Sequence, residues 1–289
     1  MNFDVIKERC DTWLESYFKD KGTYNKKVYE AMYYSINVGG KRIRPILMVL
    51  TYQMYKDDFE KILPVACAIE MIHTYSLIHD DLPCMDNDDL RRGELTNHKV
   101  FGEAVAVLAG DGLLNEAINI MFDYCIDKDK DTILACSNIS KAAGAEGMIG
   151  GQIVDIISEG KSISLEELYY MHSKKTGALI TASILAGGYL GGASMSEIKK
   201  LKEFGEKLGL AFQIKDDILD VIGDQKALGK GTHKDISSHK SNFITMFGLE
   251  QCISMCEKLT EECIVLIESI PKNSLYLKEI TRFLLKRNY

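Results

Sequence analysis

The stretch VACAIEMIHTYSLIHDDLPCMDNDDLRRG, residues 65–93, decides how the rest of the chain is read. Its first part, Val65 to about Asp81, is apolar on most sides, as befits a helix buried inside a fold. Its second part places five aspartates, Asp80, Asp81, Asp86, Asp88 and Asp89, ahead of Arg91 and Arg92. Carboxylates this close raise one another's pKa values and work against the compact state. A hard divalent cation resolves the conflict. Oxygen-only donors suit Mg²⁺ or Mn²⁺ rather than zinc, and Mg²⁺ commonly bridges one or two carboxylates to a substrate phosphate while keeping waters. Arg91 and Arg92 then have the chemistry to grip that phosphate.

On the amino-terminal side, Phe3, Ile6, Cys10, Trp13, Leu14 and Tyr17 recur at helical spacing, which predicts an amphipathic helix over 3–18. A second helix is expected from Asn25 to Val38, stopped by Gly39-Gly40. The basic run Lys41-Arg42-Ile43-Arg44 leads through Pro45 into an apolar helix over 46–55. Beyond the aspartates, helices are predicted over 103–125, over 132–157, from Ser164 through Lys174-Lys175-Thr176-Gly177 into the small-residue tract 178–192, over 196–221, and over 242–286 with a break at Pro271. Gly223 to Ser241 is polar and reads as a loop. With four prolines and recurrent Ala, Leu, Ile, Met, Glu and Lys, the fold class is all-α. No change of composition marks a linker, so the 289 residues read as one domain.

A net charge of −7 argues against non-specific nucleic-acid binding, which depends on Lys and Arg neutralising phosphates. Short basic groups at 41–44, 91–92 and 174–175 suit a small anionic ligand instead. The eight cysteines include no CxxC pair and read as buried thiols in a reducing compartment. The first ten residues carry charges and no apolar signal core, and no run of transmembrane length is expected. These features lead to the expectation of a soluble cytoplasmic protein.

A second acidic cluster sharpens the reading. At about 100° per residue, Gln213, Asp216, Asp217 and Asp220 fall on one helix face. One such cluster can be a solvated helix end. Two, each ending an apolar helix and about 130 residues apart, suggest a helical bundle with divalent ions held between helix ends.

The stretch His73 to Asp86 with Arg91-Arg92, together with Gly39-Gly40-Lys41-Arg42-Ile43-Arg44-Pro45, Lys175-Thr176 and Gln213 to Asp220, resembles the trans-prenyltransferase (short-chain polyprenyl diphosphate synthase) family. Within that family it is most similar to the bacterial farnesyl branch. The resemblance implies an isoprenoid-synthase helical bundle around a central cavity, working as a homodimer. It implies Asp80, Asp81 and Asp86 in one metal site and Asp216, Asp217 and Asp220 in another, with about three Mg²⁺ ions in all. Arg91, Lys175, Thr176, Gln213, Lys230 and Lys240 would meet the allylic diphosphate, and Lys41, Arg44, His73 and Arg92 would anchor isopentenyl diphosphate. Gln213, Thr176 and the Lys175 carbonyl would steady an allylic cation as dipoles.

Product length is expected from the helix turn beneath the first cluster. Tyr75 and Ser76 lie roughly 7 Å below Asp80 at about 1.5 Å per residue. In the family, a Tyr at this point with the Pro83-Cys84 insertion goes with a C15 product. Plant-type geranylgeranyl synthases resemble the same stretch with a smaller residue there, so C20 stays open. His79 beside Asp80 also permits a metal-dependent phosphohydrolase, although the other histidines lie in poorly matched contexts. Gln152 and Asp155 read either as cavity wall or as a polar helix face.

Overall fold

The computed structural model describes Phe3–Ile222 and Asn242–Lys286. Its central element in the amino-terminal half is α4 (Leu63–Asp80), entered through a 3₁₀ turn at Phe59–Ile62 with Pro64 in its first turn. Val65, Ala66, Cys67, Ala68, Ile69, Met71 and Ile72 have no solvent exposure. An all-round apolar sequence thus gives a helix packed on every side. Around it lie α1 (Phe3–Phe18), α2 (Lys26–Asn37) and α6 (Glu103–Cys125). Between α4 and α6 the chain forms a hairpin of two-residue strands, β1 (Leu90–Arg91) and β2 (Glu94–Leu95), and the short helix α5 (Asn97–Phe101). These residues, with α3 (Ile43–Tyr52) as far as Val49, form one compact unit.

The second unit comprises residues 50–57 and the described residues from Lys130 on. It contains α7 (Lys130–Ala143), α8 (Met148–Ile157), α9 (Leu165–His172), a π turn at Ser173–Gly177, α10 (Ala178–Gly191) and α11 (Met195–Ile222). After the undescribed segment come α12 (Phe243–Phe247), α13 (Leu249–Glu268) and α14 (Leu275–Lys286). The small-residue tract in α10 lets α7 and α11 pack against it, and α13 covers α11. Ser164 and Glu167 form a capping box at the start of α9.

The all-α expectation holds. Where 132–157 reads as a single helix in sequence, the chain breaks between α7 and α8, because Gly147 (φ −121°, ψ −128°) leaves helical geometry. The Asn242–Lys286 stretch breaks at Gly248 as well as after Glu268. Two helical segments, Phe59–Asp80 and Glu103–Cys125, are long and apolar enough to cross a membrane by length and composition, contrary to the sequence expectation of no such run. Burial accounts for the first: 72% of its apolar window lies inside the protein. Six of the eight cysteines are buried and Cys84 is exposed, and among the described residues none is in a disulfide.

Candidate active site

The first acidic cluster is built where α4 runs out. Asp80 is the last helical residue and Asp81 the C-cap. Carboxylates at this end meet the negative pole of the helix dipole, which a cation would relieve. The chain then turns back on itself: the Asp86 amide donates to the Asp80 carbonyl (2.9 Å), and the Met85 and Asn87 amides to the Leu82 carbonyl (2.9 and 3.1 Å). The turn therefore returns Asp86 to the level of Asp80, and both are half-buried.

Asp81 has a different environment. It is only 2% exposed, and both of its oxygens accept from Arg91 Nε (2.8 and 2.9 Å). One edge of the Arg91 fork is thereby fixed by a neighbouring aspartate. Arg92, in left-handed backbone (φ 57°) at the hairpin tip, sends Nη1 to the Gly39 carbonyl. The Gly39-Gly40 loop lies so close that a Cβ on Gly40 would sit 2.7 Å from the Arg92 guanidinium. Lys41 follows that loop and Arg44 lies in the first turn of α3. His73, seven residues before Asp80, has its pKa pushed well below the usual imidazole value by burial and by Arg44, Arg92, Arg91 and Arg42. Guanidiniums this close to a buried imidazole disfavour its protonated form.

Beneath the cluster, Tyr75 is buried and packs edge-on against His79, with ring centroids 5.8 Å apart. Its phenol is pushed up to about 12 by burial and by Asp80. Ser76 instead donates to the His73 carbonyl of its own helix (2.8 Å). His79 Nε2 lies 3.1 Å from the Val107 carbonyl of α6, so this ring is placed at a helix contact. Asp89 pairs with Lys99 (2.7 Å) at the surface.

In the second unit, the π turn carries Lys175 and Thr176. Lys175 Nζ donates to Asp155 Oδ2 of α8 at 2.6 Å. Gly151 is what admits this turn: a Cβ there would lie 2.1 Å from the Lys175 amide nitrogen. Thr176 Oγ1 donates to Gln213 Oε1 (2.8 Å), and Gln213 Nε2 donates to Asp217 Oδ1 (3.0 Å). The second Asp217 oxygen accepts from the Phe243 amide (2.9 Å), and Asp217 is 3% exposed. Asp216 and Asp220 are half-buried one turn apart. In each cluster, then, the middle aspartate is buried and held by protein donors, while its flanking partners are half-buried. Lys230 and Lys240 lie outside the described residues.

A family model described as polyprenyl synthetase matches residues 25–274. The chain belongs to the polyprenyl synthetase family. It is 50% identical over 225 residues to farnesyl diphosphate synthase of Geobacillus stearothermophilus, covering 77% of this chain and 76% of that protein. It is 41% identical over 263 residues to geranylgeranyl diphosphate synthase of Cyanophora paradoxa, covering 90% and 88%. Among solved structures, geranyltransferase from Helicobacter pylori, complexed with magnesium and isoprenyl diphosphate, superposes with TM-score 0.87 at 33% identity, covering 98% of this chain and 95% of that one. This chain is thus a trans-prenyltransferase, of a family that joins isopentenyl diphosphate to allylic diphosphates with divalent metal ions.

The synthase's donor set fits magnesium. Among the described residues no group of three or more acidic, histidine or cysteine side chains already converges on one point. Each cluster offers half-buried flanking carboxylates, and Mg²⁺ takes one or two carboxylates and completes its octahedron with substrate oxygens and water. The sequence missed Arg42, Glu70 and Asp11, which lie behind the first cluster. The available signal was Glu70, a lone acid on an apolar helix, which burial obliges to find a partner.

Proposed function

We propose that this synthase condenses isopentenyl diphosphate with dimethylallyl diphosphate and then with geranyl diphosphate, head to tail, giving (E,E)-farnesyl diphosphate and diphosphate. The observation that carries the C15 product is Tyr75, buried beneath Asp80 with its ring wedged against His79. An aromatic floor at that depth stops a growing chain that a small residue would let pass. Magnesium, held by Asp80 and Asp86 in one site and by Asp216 and Asp220 in the other, would neutralise the leaving diphosphate as its C–O bond breaks; Asp81 and Asp217, which the family resemblance also places among the ligands, are here given to orienting Arg91 and Gln213, whose donors they accept.

The chain's own residues do the rest. Lys175 exchanges Asp155 for diphosphate oxygens, and Arg91, one edge of whose fork Asp81 holds, has its other side for an allylic diphosphate. Thr176 and Gln213, locked to each other and to Asp217, present fixed dipoles to the allylic cation. Lys41, Arg44, His73 and Arg92 anchor isopentenyl diphosphate, whose diphosphate is not lost and needs only holding. Its double bond attacks the cation, a C–C bond forms, and the proton released passes to the departed diphosphate, so no separate protein base is needed. Three magnesium ions and a homodimer belong to the same reading.

Incubation of the purified protein with Mg²⁺, isopentenyl diphosphate and dimethylallyl diphosphate, followed by sizing of the products, tests the proposal. The expected main product is C15. Failure to consume isopentenyl diphosphate would remove the condensation reading, and a C20 main product would assign the chain to the geranylgeranyl branch.

A further inference from the structure

Arg42 has no part in the reaction outlined above, yet its side chain is tightly held. Its backbone is left-handed (φ 50°) and its side chain only 4% exposed. The guanidinium meets four acceptors, from α1, α2, α4 and the Gly39-Gly40 loop. Nε donates to Asp11 Oδ1 of α1 (2.8 Å), and Nη1 to Glu70 Oε1 of α4 (3.1 Å) and to the Gly39 carbonyl (3.3 Å). Nη2 donates to the Ile36 carbonyl at the end of α2 (2.7 Å). Glu70 is 2% exposed, so this is a buried ion pair whose halves cannot be separated cheaply.

The anchor residues for the second diphosphate radiate from this point. Lys41 precedes Arg42, and Arg44 follows two residues later. Arg92 shares the Gly39 carbonyl with Arg42 as acceptor. His73 lies three residues after Glu70, on the adjoining turn of α4. The outer end of the network is Asp11, part-exposed, which also accepts from Lys7 Nζ (2.9 Å). Asp11 lies on α1, ahead of the residues that match the family model.

We infer that Arg42, Glu70 and Asp11 are positioning residues for the isopentenyl diphosphate subsite, a buried relay that fixes the Gly39-Gly40 loop so that Lys41, Arg44, His73 and Arg92 converge on one diphosphate. The inference rests on the proposed assignment of those four residues to that substrate. Through Asp11 the amino-terminal helix acts on a subsite that it does not line. The allylic subsite has no member of this relay, so the effect falls on one substrate only.

Steady-state kinetics of Asp11→Asn and Arg42→Lys, with each substrate varied in turn and Arg44→Ala as reference, test it, with thermal unfolding measured alongside. Loss of a charged hydrogen bond is expected to raise KM for isopentenyl diphosphate about tenfold in Asp11→Asn. KM for dimethylallyl diphosphate is expected to stay within about twofold, because none of the residues assigned to the allylic diphosphate is a hydrogen-bond partner of Arg42 or Asp11. A purely structural role would lower the melting temperature and the active fraction without separating the two KM values, and would overturn the inference. If Arg44→Ala raises KM for isopentenyl diphosphate and Asp11→Asn does not, the relay is wrong and the subsite assignment stands. If Arg44→Ala leaves that KM unchanged, the assignment itself fails and takes the relay with it. Should Arg42→Lys not fold, Asp11→Asn, at a part-exposed position, decides alone.

Discussion

Neighbouring side chains in α4 have separate roles. Tyr75 is buried against His79, whereas Ser76 is turned back onto its own helix. Tyr75→Ala is therefore expected to lengthen the product beyond C15 under unchanged conditions, read by chromatography of the dephosphorylated alcohols. Unaltered chain length would place the floor elsewhere. Asp80 and Asp81 divide in the same way. Asp80→Asn removes a carboxylate from the metal pair, and kcat is expected to fall about 10²–10³-fold, the scale seen when a group stabilising transition-state charge is lost. The Mg²⁺ concentration giving half-maximal rate should rise with it. Asp81→Asn instead unseats Arg91. It should raise KM for the allylic substrate while leaving the Mg²⁺ requirement within about twofold, since a guanidinium contact rather than a metal ligand is lost. Magnesium titrations of the two variants separate the roles.

Among the elements, α4 was legible in the sequence because its apolar residues leave no polar face and its end is marked by charge. The acidic end of α11 was legible for the second reason alone. The π turn at Ser173–Gly177 was not. Nothing in Ser-Lys-Lys-Thr-Gly departs from an ordinary helix, and the turn rests on the close approach of Gly151, more than twenty residues earlier in the chain. Likewise, Gly144 and Gly147 fall inside the single helix expected over 132–157, yet α7 ends at Ala143 and α8 starts only after Gly147. Gly151→Ala tests this dependence. A methyl group 2.1 Å from the Lys175 amide forces the turn outward, and overpacking of this kind costs about 1–3 kcal/mol. The urea midpoint should fall with an unchanged m-value, and kcat should fall with it as Lys175 and Thr176 move from their partners.

For the molecule as a whole, the charge on two histidines links stability to acidity. Burial and the surrounding guanidiniums hold His73 well below the ordinary imidazole value, and burial, opposed by Asp155 and aided by Lys175, brings His172 down to about 4. Both folded values are depressed, so the unfolded chain binds more protons once the pH drops below about 6.5. Stability of the ligand-free protein is therefore expected to decline from about pH 6.5 toward pH 4, and His172→Gln should flatten that decline in urea titrations. The aspartates of the site were legible because they crowd together in sequence. The Arg42 relay was not, since Asp11, Arg42 and Glu70 stand about thirty residues apart from one to the next, and only the fold joins them. One exposed thiol has a practical consequence. Cys84 sits in the turn that returns Asp86 to Asp80, while six other cysteines are buried. A maleimide dye added to the native protein should label that turn first, so that with no substitution the labelled chain becomes a fluorescent reporter of when magnesium and diphosphate occupy the loop.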